Sequence, residues 1–188
     1  FFYEIQDQET GLWGGKNAPW YERINGTFKL FPLIREQLDL PLPHAEKIIQ
    51  CVMNEFYRED YDKSVGACDE WDNWYVIALA LEKAEGYDTE HIKKMAAYRI
   101  IRVLDIFSKE DGGLSYYPDC CQTGWIGFDM APAVFQGDAI GIGILSSGIN
   151  VCIDILGIND ETSWTGVWRM RQKEPLELRK YIESLVFN

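Results

Sequence analysis

Apolar residues recur at helical spacing through most of the chain, and the segments that carry them are of two kinds. Helices are predicted over residues 25–38, 45–56, 68–81, 89–107, 138–156 and 175–187. The second, fourth and last are apolar on one face and polar on the other, as in helices that cover a core. The third and fifth are apolar all round, which is typical of buried helices. The pattern therefore predicts an all-α fold in which covering and buried helices alternate.

The connections between these helices differ in length and composition. Residues 39–42 and 86–87 make short connections that follow buried helices. Residues 6–24, 57–67 and 108–136 make long, aromatic and acidic connections that precede them. Helical hairpins of this kind place every long connection on one side, at the N-termini of the buried helices, and function usually lies on such loops. No strand is predicted.

Three of the connecting segments share a pattern of acidic residues, then glycine, then an aromatic or apolar residue. They are residues 6–13, which we name the QW-like turn, residues 111–117, which together with residues 109–110 we name the Asp-Gly-Gly turn, and residues 160–168. Their recurrence between helices, at multiples of roughly fifty residues, indicates an internal repeat.

The QW-like turn resembles the QW motif of squalene and terpene cyclases and of protein prenyltransferase β-subunits. The chain begins Phe1-Phe2-Tyr3-Glu4-Ile5-Gln6, and after four further residues it reads Gly11-Leu12-Trp13. The Asp-Gly-Gly turn is similar to the Asp-Gly-Gly-Phe of the same repeats, with Leu114 in place of Phe. The resemblance implies an α/α toroid of alternating inner and outer helices. It also implies an enzyme that acts on an isoprenoid in an aromatic cavity.

The chain departs from these families at their chemical motifs. Class II cyclases protonate their substrate with Asp-x-Asp-Asp, whereas residues 69–72 read Asp-Glu-Trp-Asp. Prenyltransferases bind zinc with Asp, Cys and His, but no His lies near Asp119, Cys120 and Cys121, so no metal site is predicted. A closed toroid needs more helices than this chain supplies. Residues 1–188 are therefore expected to form one toroid domain, either partial or the C-terminal part of a larger one.

The composition of the chain excludes some classes of binding partner. The net charge of −12 argues against nucleic acid and anionic membranes. The most apolar run, residues 131–158, is interrupted by polar residues, so no membrane span is predicted. An odd number of cysteines, five, with no C-x-x-C spacing favours a reducing, cytoplasmic location. The chain has no phosphate-binding or dinucleotide fingerprint, and the cofactor stays unknown.

Three acidic residues at the starts of buried helices are candidate catalytic groups. Asp69 and Asp72 are predicted in the first turn of one such helix, and Asp138 begins the next. Acids at helix N-termini also cap backbone N–H groups and complement the helix dipole, which is the alternative for all three. Burial beside Trp71 and Trp74 would favour the protonated form and so make a general acid.

Aromatic residues supply the candidate substrate-binding surface. The predicted lining consists of Trp13, Trp71, Trp74, Tyr116 and Trp125. The alternative is that some of these rings pack the loops onto the core. Aromatic rings stabilise carbocations and also stack on sugars, so they do not choose between terpene and carbohydrate chemistry.

Three functions follow. The first is a cyclase- or prenyltransferase-like enzyme for a hydrophobic isoprenoid. The second is a carbohydrate-active α/α toroid, a hydrolase or lyase that uses two carboxylates. The third is a non-catalytic half-toroid that binds a partner domain or a second copy of itself through the face where further hairpins belong.

Overall fold

The computed structural model describes residues 1–34, 38, 40–125, 127–159, 180 and 182–184. These residues are mostly helical and their one sheet has two short strands, so the predicted all-α class is confirmed. The chain forms two compact units. The first unit contains Phe1–Tyr61 and Asp72–Asp88, and the second contains Asp62–Trp71 and Thr89–Asn188. The single domain predicted from the sequence stays a prediction.

Four of the predicted helices have close counterparts. The described helices are α1 (Trp20–Pro32), α2 (Ala45–Phe56), α3 (Tyr61–Ser64), α4 (Ala67–Lys83), α5 (Glu90–Phe107) and α6 (Ala139–Leu156). The strands are β1 (Gly124–Trp125) and β2 (Phe128–Asp129). Lys180 and residues 182–184 are also helical. The rest of the helix predicted over residues 175–187, and the turn predicted at residues 160–168, lie outside the described residues.

Helix α1 begins earlier than the sequence predicts. The predicted cap at residues 25–27 is wrong, because the helix begins at Trp20 and ends at Pro32. Thr27 is buried inside it. Its hydroxyl donates to Arg23 O at 2.9 Å and accepts from Trp13 N at 2.9 Å. These two bonds satisfy the hydroxyl, so a residue that favours helix starts is tolerated in the helix interior.

The QW-like turn holds backbone groups of the first unit together. Gln6 is buried, and its Nε2 donates to Gly11 O at 2.8 Å and to Pro43 O at 2.9 Å. The indole Nε1 of Trp13 donates to Phe2 O at 2.8 Å. The Gln and Trp of the motif therefore tie this turn to the start of the chain and to the segment that enters α2.

Helices α4 and α6 differ in burial, although both are predicted to be buried all round. None of residues 67–81 in α4 is exposed, which agrees with the prediction. For α6 the prediction agrees only in part, since Ala139 and Asp154 are exposed and much of the rest is intermediate in burial. Its buried residues are Gly141, Leu145, Ser146, Gly148, Ile149, Cys152 and Ile153. These recur on one face, and several apolar residues of the other face are only partly buried.

Glycines let α6 approach other backbone closely. A Cβ on Gly141 would lie 2.5 Å from Ser115 C and from Tyr116 N. A Cβ on Gly148 would lie 3.5 Å from the Cα atom of Trp71. Close packing is the expected compensation for the helix propensity that glycine loses, and it is confirmed at these two positions.

Helix α6 is, within the described residues, the one helix long and apolar enough to cross a membrane. Its 18 residues have a mean hydropathy of 1.8, and 39% of them are buried. This concerns length and composition alone, and core helices of soluble proteins meet the same criterion. The absence of a membrane span therefore stays a prediction.

The long connection between α5 and α6 contains both strands, so the prediction of no strand is wrong there. Gly124 pairs with Asp129 and Trp125 with Phe128, in antiparallel register. Strands of two residues are too short to show an alternating pattern in the sequence.

Candidate functional site

A hairpin with exposed aromatic side chains stands out in the second unit. This aromatic hairpin consists of residues 121–125 and 127–135. At its base, Cys121 N donates to Val134 O at 3.0 Å, and further along Met130 N donates to Thr123 O at 2.8 Å. Cys121 is buried, whereas the outer part of the hairpin faces solvent. An isolated two-stranded hairpin is marginally stable in water, so this one depends on its anchors.

The tip of the hairpin presents two aromatic rings. Trp125 and Phe128 are directly paired across the two strands, and directly paired residues project from the same face of a sheet. Trp125 is 48% exposed and Phe128 is 75% exposed. The tip therefore offers a small aromatic surface to solvent.

Asp138, a predicted catalytic residue, anchors the hairpin to α6. Its Oδ1 accepts from Gly141 N at 2.7 Å, which makes it the N-cap of the helix. Its Oδ2 accepts from Tyr116 N at 2.8 Å and from Gln122 N at 3.1 Å. Both oxygens are therefore bound to backbone N–H groups, which is the capping alternative. Among the described residues, no contact of Asp138 supports the catalytic role.

Asp69 lies near the same segment. It is in the first turn of α4, and its Oδ2 accepts from Gly66 N at 3.0 Å. In a capping box, the acid at the third helical position accepts from the backbone N–H of the residue just before the helix, and Asp69 makes this bond. Ala67 N donates to Tyr116 O at 2.9 Å. The ring of Tyr116 is buried and meets that of Tyr117 edge-on, with centroids 4.6 Å apart.

Trp71 belongs to the same unit and is partly buried. Its backbone packs against Gly148 of α6. The second unit thus brings together the starts of α4 and α6 with four of the predicted site residues, namely Asp69, Trp71, Tyr116 and Asp138.

Asp72 belongs to the first unit. It lies beyond the first turn of α4, so its predicted first-turn position is wrong and it does not cap that helix. Its side chain is buried, with the residue 1% exposed, and its Oδ2 accepts from Asn25 Nδ2 at 2.7 Å. This bond joins α4 to α1.

Trp13 and Trp74 are core residues of the first unit. Trp74 is fully buried and stacks on Phe56, with ring centroids 4.8 Å apart and an interplanar angle of 22°. Trp13 is buried and meets Phe31 edge-on at 6.3 Å. These contacts favour the packing alternative for both rings, and their predicted role as substrate lining stays a prediction.

The thiols of Cys51, Cys120 and Cys152 are not activated as nucleophiles. Burial raises the pKa of Cys51, that of Cys120, and, well above 9.0, that of Cys152. The negative charge of Asp119 raises the pKa of Cys120 further. A raised pKa keeps a thiol protonated at neutral pH, and the thiolate is the reactive form.

Some residues of the site have no signal in the sequence. Phe135 is an exposed aromatic residue of the hairpin that the sequence does not single out for binding. Lys109, which contacts Phe135, is an ordinary lysine by its sequence context. Its importance comes from contacts with residues distant along the chain.

Comparison with known proteins adds no assignment. No protein-family model, curated protein or solved structure matches this chain at a significant level.

Proposed function

We propose that this chain is part of a carbohydrate-active α/α toroid and that it binds a glycan on the aromatic hairpin. The observation that carries the glycan proposal is the exposed cross-strand pair of Trp125 and Phe128. The faces of sugar rings carry C–H groups with partial positive charge, and these pack against the negative face of an aromatic ring.

Two turns of similar form support the repeat that a toroid requires. In the QW-like turn, Asp7 N donates to Leu12 O and Gly11 N donates to Asp7 O. In the Asp-Gly-Gly turn, Lys109 N donates to Gly113 O and Gly112 N donates to Lys109 O.

Each of these turns also contains a glycine in the left-handed region. The φ angle is +75° at Gly11 and +82° at Gly112, a conformation that favours glycine. The QW-like turn comes before α1, and the Asp-Gly-Gly turn follows the end of α5. In chain order, the one-sided α2 is followed by α4, in which none of residues 67–81 is exposed, and then by the largely one-sided α5; this order supports the same repeat of inner and outer helices.

The exposure of the hairpin rings favours a glycan over an isoprenoid as the ligand. Cyclisation through carbocations requires that water be excluded from the reacting centre. Trp13 and Trp74, two of the rings predicted to line such a cavity, are occupied by core contacts. Of the five residues predicted to line a site, Trp125 is the one that is exposed, and it lies on the hairpin in contact with water, where a sugar that keeps its hydroxyl groups hydrated is the better fit.

The acidic residues around the hairpin indicate which class of glycan it would bind. The exposed acidic residues on and before the hairpin are Glu110, Asp111, Asp119 and Asp129. Like charges repel, so this surface disfavours uronic acids and sulfated sugars. We therefore propose neutral glycans as the ligand class.

The test is a binding panel of neutral oligosaccharides, uronic-acid oligosaccharides and a prenyl diphosphate, measured by calorimetry. Wild-type protein is expected to bind a neutral oligosaccharide. Trp125→Ala and Phe128→Ala are each expected to weaken that binding about tenfold, the equivalent of roughly 1.4 kcal/mol. Tyr98→Ala is the matched control, because Tyr98 is 47% exposed on α5. Absence of glycan binding, or an equal loss in the control, would contradict the proposal.

A cyclase- or prenyltransferase-like activity is the second candidate, and Asp72 is the observation that favours it. A general acid is made by removing a carboxyl group from water, and Asp72 is buried, with the residue 1% exposed. On this hypothesis Asp72→Asn abolishes turnover of a prenyl substrate and leaves the thermal midpoint nearly unchanged. A matching loss of stability would give Asp72 a structural role only.

A further inference from the structure

We propose that Lys109 is a positioning residue that clamps the aromatic hairpin to the C-terminal end of α5 and so orients the sugar-binding face. The orientation of a sugar-binding face rests on the proposed function, whereas the clamp itself is a property of the hairpin.

The contacts of the Lys109 side chain link three segments. Its Nζ donates to Ile106 O, in the last turn of α5, at 3.1 Å and to Pro118 O at 3.0 Å. The same Nζ lies 4.5 Å from the centroid of the Phe135 ring. Pro118 precedes the hairpin and Phe135 ends it. One ammonium group therefore holds both flanks of the hairpin to one helix end.

Each contact suits a cation. The last carbonyl groups of a helix carry partial negative charge, and a cation near them is stabilised. An ammonium group over a ring face is attracted by the ring quadrupole. Removing the positive charge would weaken all of these contacts together.

Burial of Lys109 indicates that its position is specific. The residue is 6% exposed, and burying an ammonium group costs free energy that only its contacts can offset. Burial lowers the pKa of Lys109, although the negative charges of Asp119 and Asp111 act to raise it. An apolar side chain of the same length would fill this space at lower cost, so space filling alone does not explain a lysine here.

The turn that carries Lys109 is itself fixed to the far end of the hairpin. Asp111 Oδ1 accepts from Gly113 N at 2.9 Å, and its Oδ2 accepts from Gly137 N at 3.0 Å. The backbones of Gly113 and Gly137 touch, since a Cβ on Gly137 would lie 2.6 Å from the Cα atom of Gly113. Lys109 therefore projects from a rigid base.

The experiment is amide hydrogen exchange on the full chain, followed at the N–H groups of Cys121 and Met130. Lys109→Met keeps the length of the side chain and removes the charge, and we expect both amides to exchange about tenfold faster. Phe135→Leu, which removes only the ring face, is expected to give a smaller increase. Lys94→Met, an exposed lysine on α5, is the matched control and should change nothing.

Three outcomes decide the proposal. Unchanged exchange in Lys109→Met would overturn it, because the side chain would then only fill space. If Lys109→Met does not fold, Phe135→Leu decides, and wild-type exchange in that variant overturns the clamp. If the wild-type protein binds no glycan but the exchange rates rise as expected, the clamp stands and the glycan proposal fails.

Discussion

Arg99 and Glu70 form a two-point ion pair in the second unit, with both side chains 2% exposed. Arg99 Nε lies 3.1 Å from one carboxylate oxygen, and the second guanidinium contact is 2.9 Å. Arg99 Nη1 also donates to Asp62, which in turn accepts from Arg102 at 2.8 Å. The network joins α3, the start of α4, and α5, so the geometry of the second unit depends on it.

We expect Arg99→Met to destabilise the protein by about 3–5 kcal/mol, because it leaves the buried Glu70 carboxylate without its cation. Replacing both residues, Arg99→Met with Glu70→Met, should recover part of this loss, since no buried charge then remains unpaired. Urea unfolding measures both. Lys94→Met serves as the surface control and should stay within about 0.5 kcal/mol of wild type. Equal losses in the single and double variants would mean that packing, and not charge, dominates.

The stability that this network contributes depends on pH through Asp62. Burial acts to raise its pKa, but hydrogen bonds from Arg99 and Arg102, with their positive charges, outweigh burial and hold the pKa below 3.8. A carboxyl whose folded pKa is depressed contributes stability above its unfolded pKa and loses it as pH falls. We therefore expect wild-type stability to fall more steeply than that of Asp62→Asn as pH decreases from about 5 to 3. Urea midpoints across this range measure the difference, and parallel curves would contradict it.

The helices could be predicted because their signal is local. Apolar spacing alone located α2, α5 and α6 within about two residues, and the rule that acids cap helices correctly described Asp138. The prediction failed for the start of α1, because the residue taken as its cap is hydrogen-bonded to other partners. Thr27 looks like a cap by type, but Trp13 N and Arg23 O bind its hydroxyl inside α1.

The site could be predicted only in part, because it depends on contacts between distant residues. The sequence names both Trp74 and Trp125 as substrate lining, and it does not show that Trp74 stacks on Phe56 while Trp125 stays exposed. The clamp at Lys109 has no local signal, since its partners Pro118 and Phe135 are brought to it by the fold.

Asp138 links the hairpin to α6, and its removal tests that link. Asp138→Ala removes the acceptor of three backbone N–H groups, and we expect a loss of about 1–3 kcal/mol in stability. Asp138→Asn keeps one acceptor oxygen and should lose less. Asp154→Ala, at an exposed site on the same helix, controls for the loss of an acid. Thermal unfolding measures all three, and a stable Asp138→Ala variant would return Asp138 to the list of candidate catalytic groups.

Substitution by alanine is expected to have opposite effects at two glycines of α6. At Gly141 a Cβ would lie 2.5 Å from the backbone of Ser115 and Tyr116, which cannot move without opening the segment that leads to the hairpin. At Gly143 a Cβ would meet nothing within 4 Å. Alanine has the higher helix propensity by up to about 1 kcal/mol, so Gly143→Ala should raise the urea midpoint. Gly141→Ala should lower the urea midpoint, because overpacking strain reduces the free energy of unfolding by about 1–3 kcal/mol. If both variants are stabilised, α6 does not pack against residues 114–116 in solution, and the anchoring of the hairpin by Asp138 fails with it.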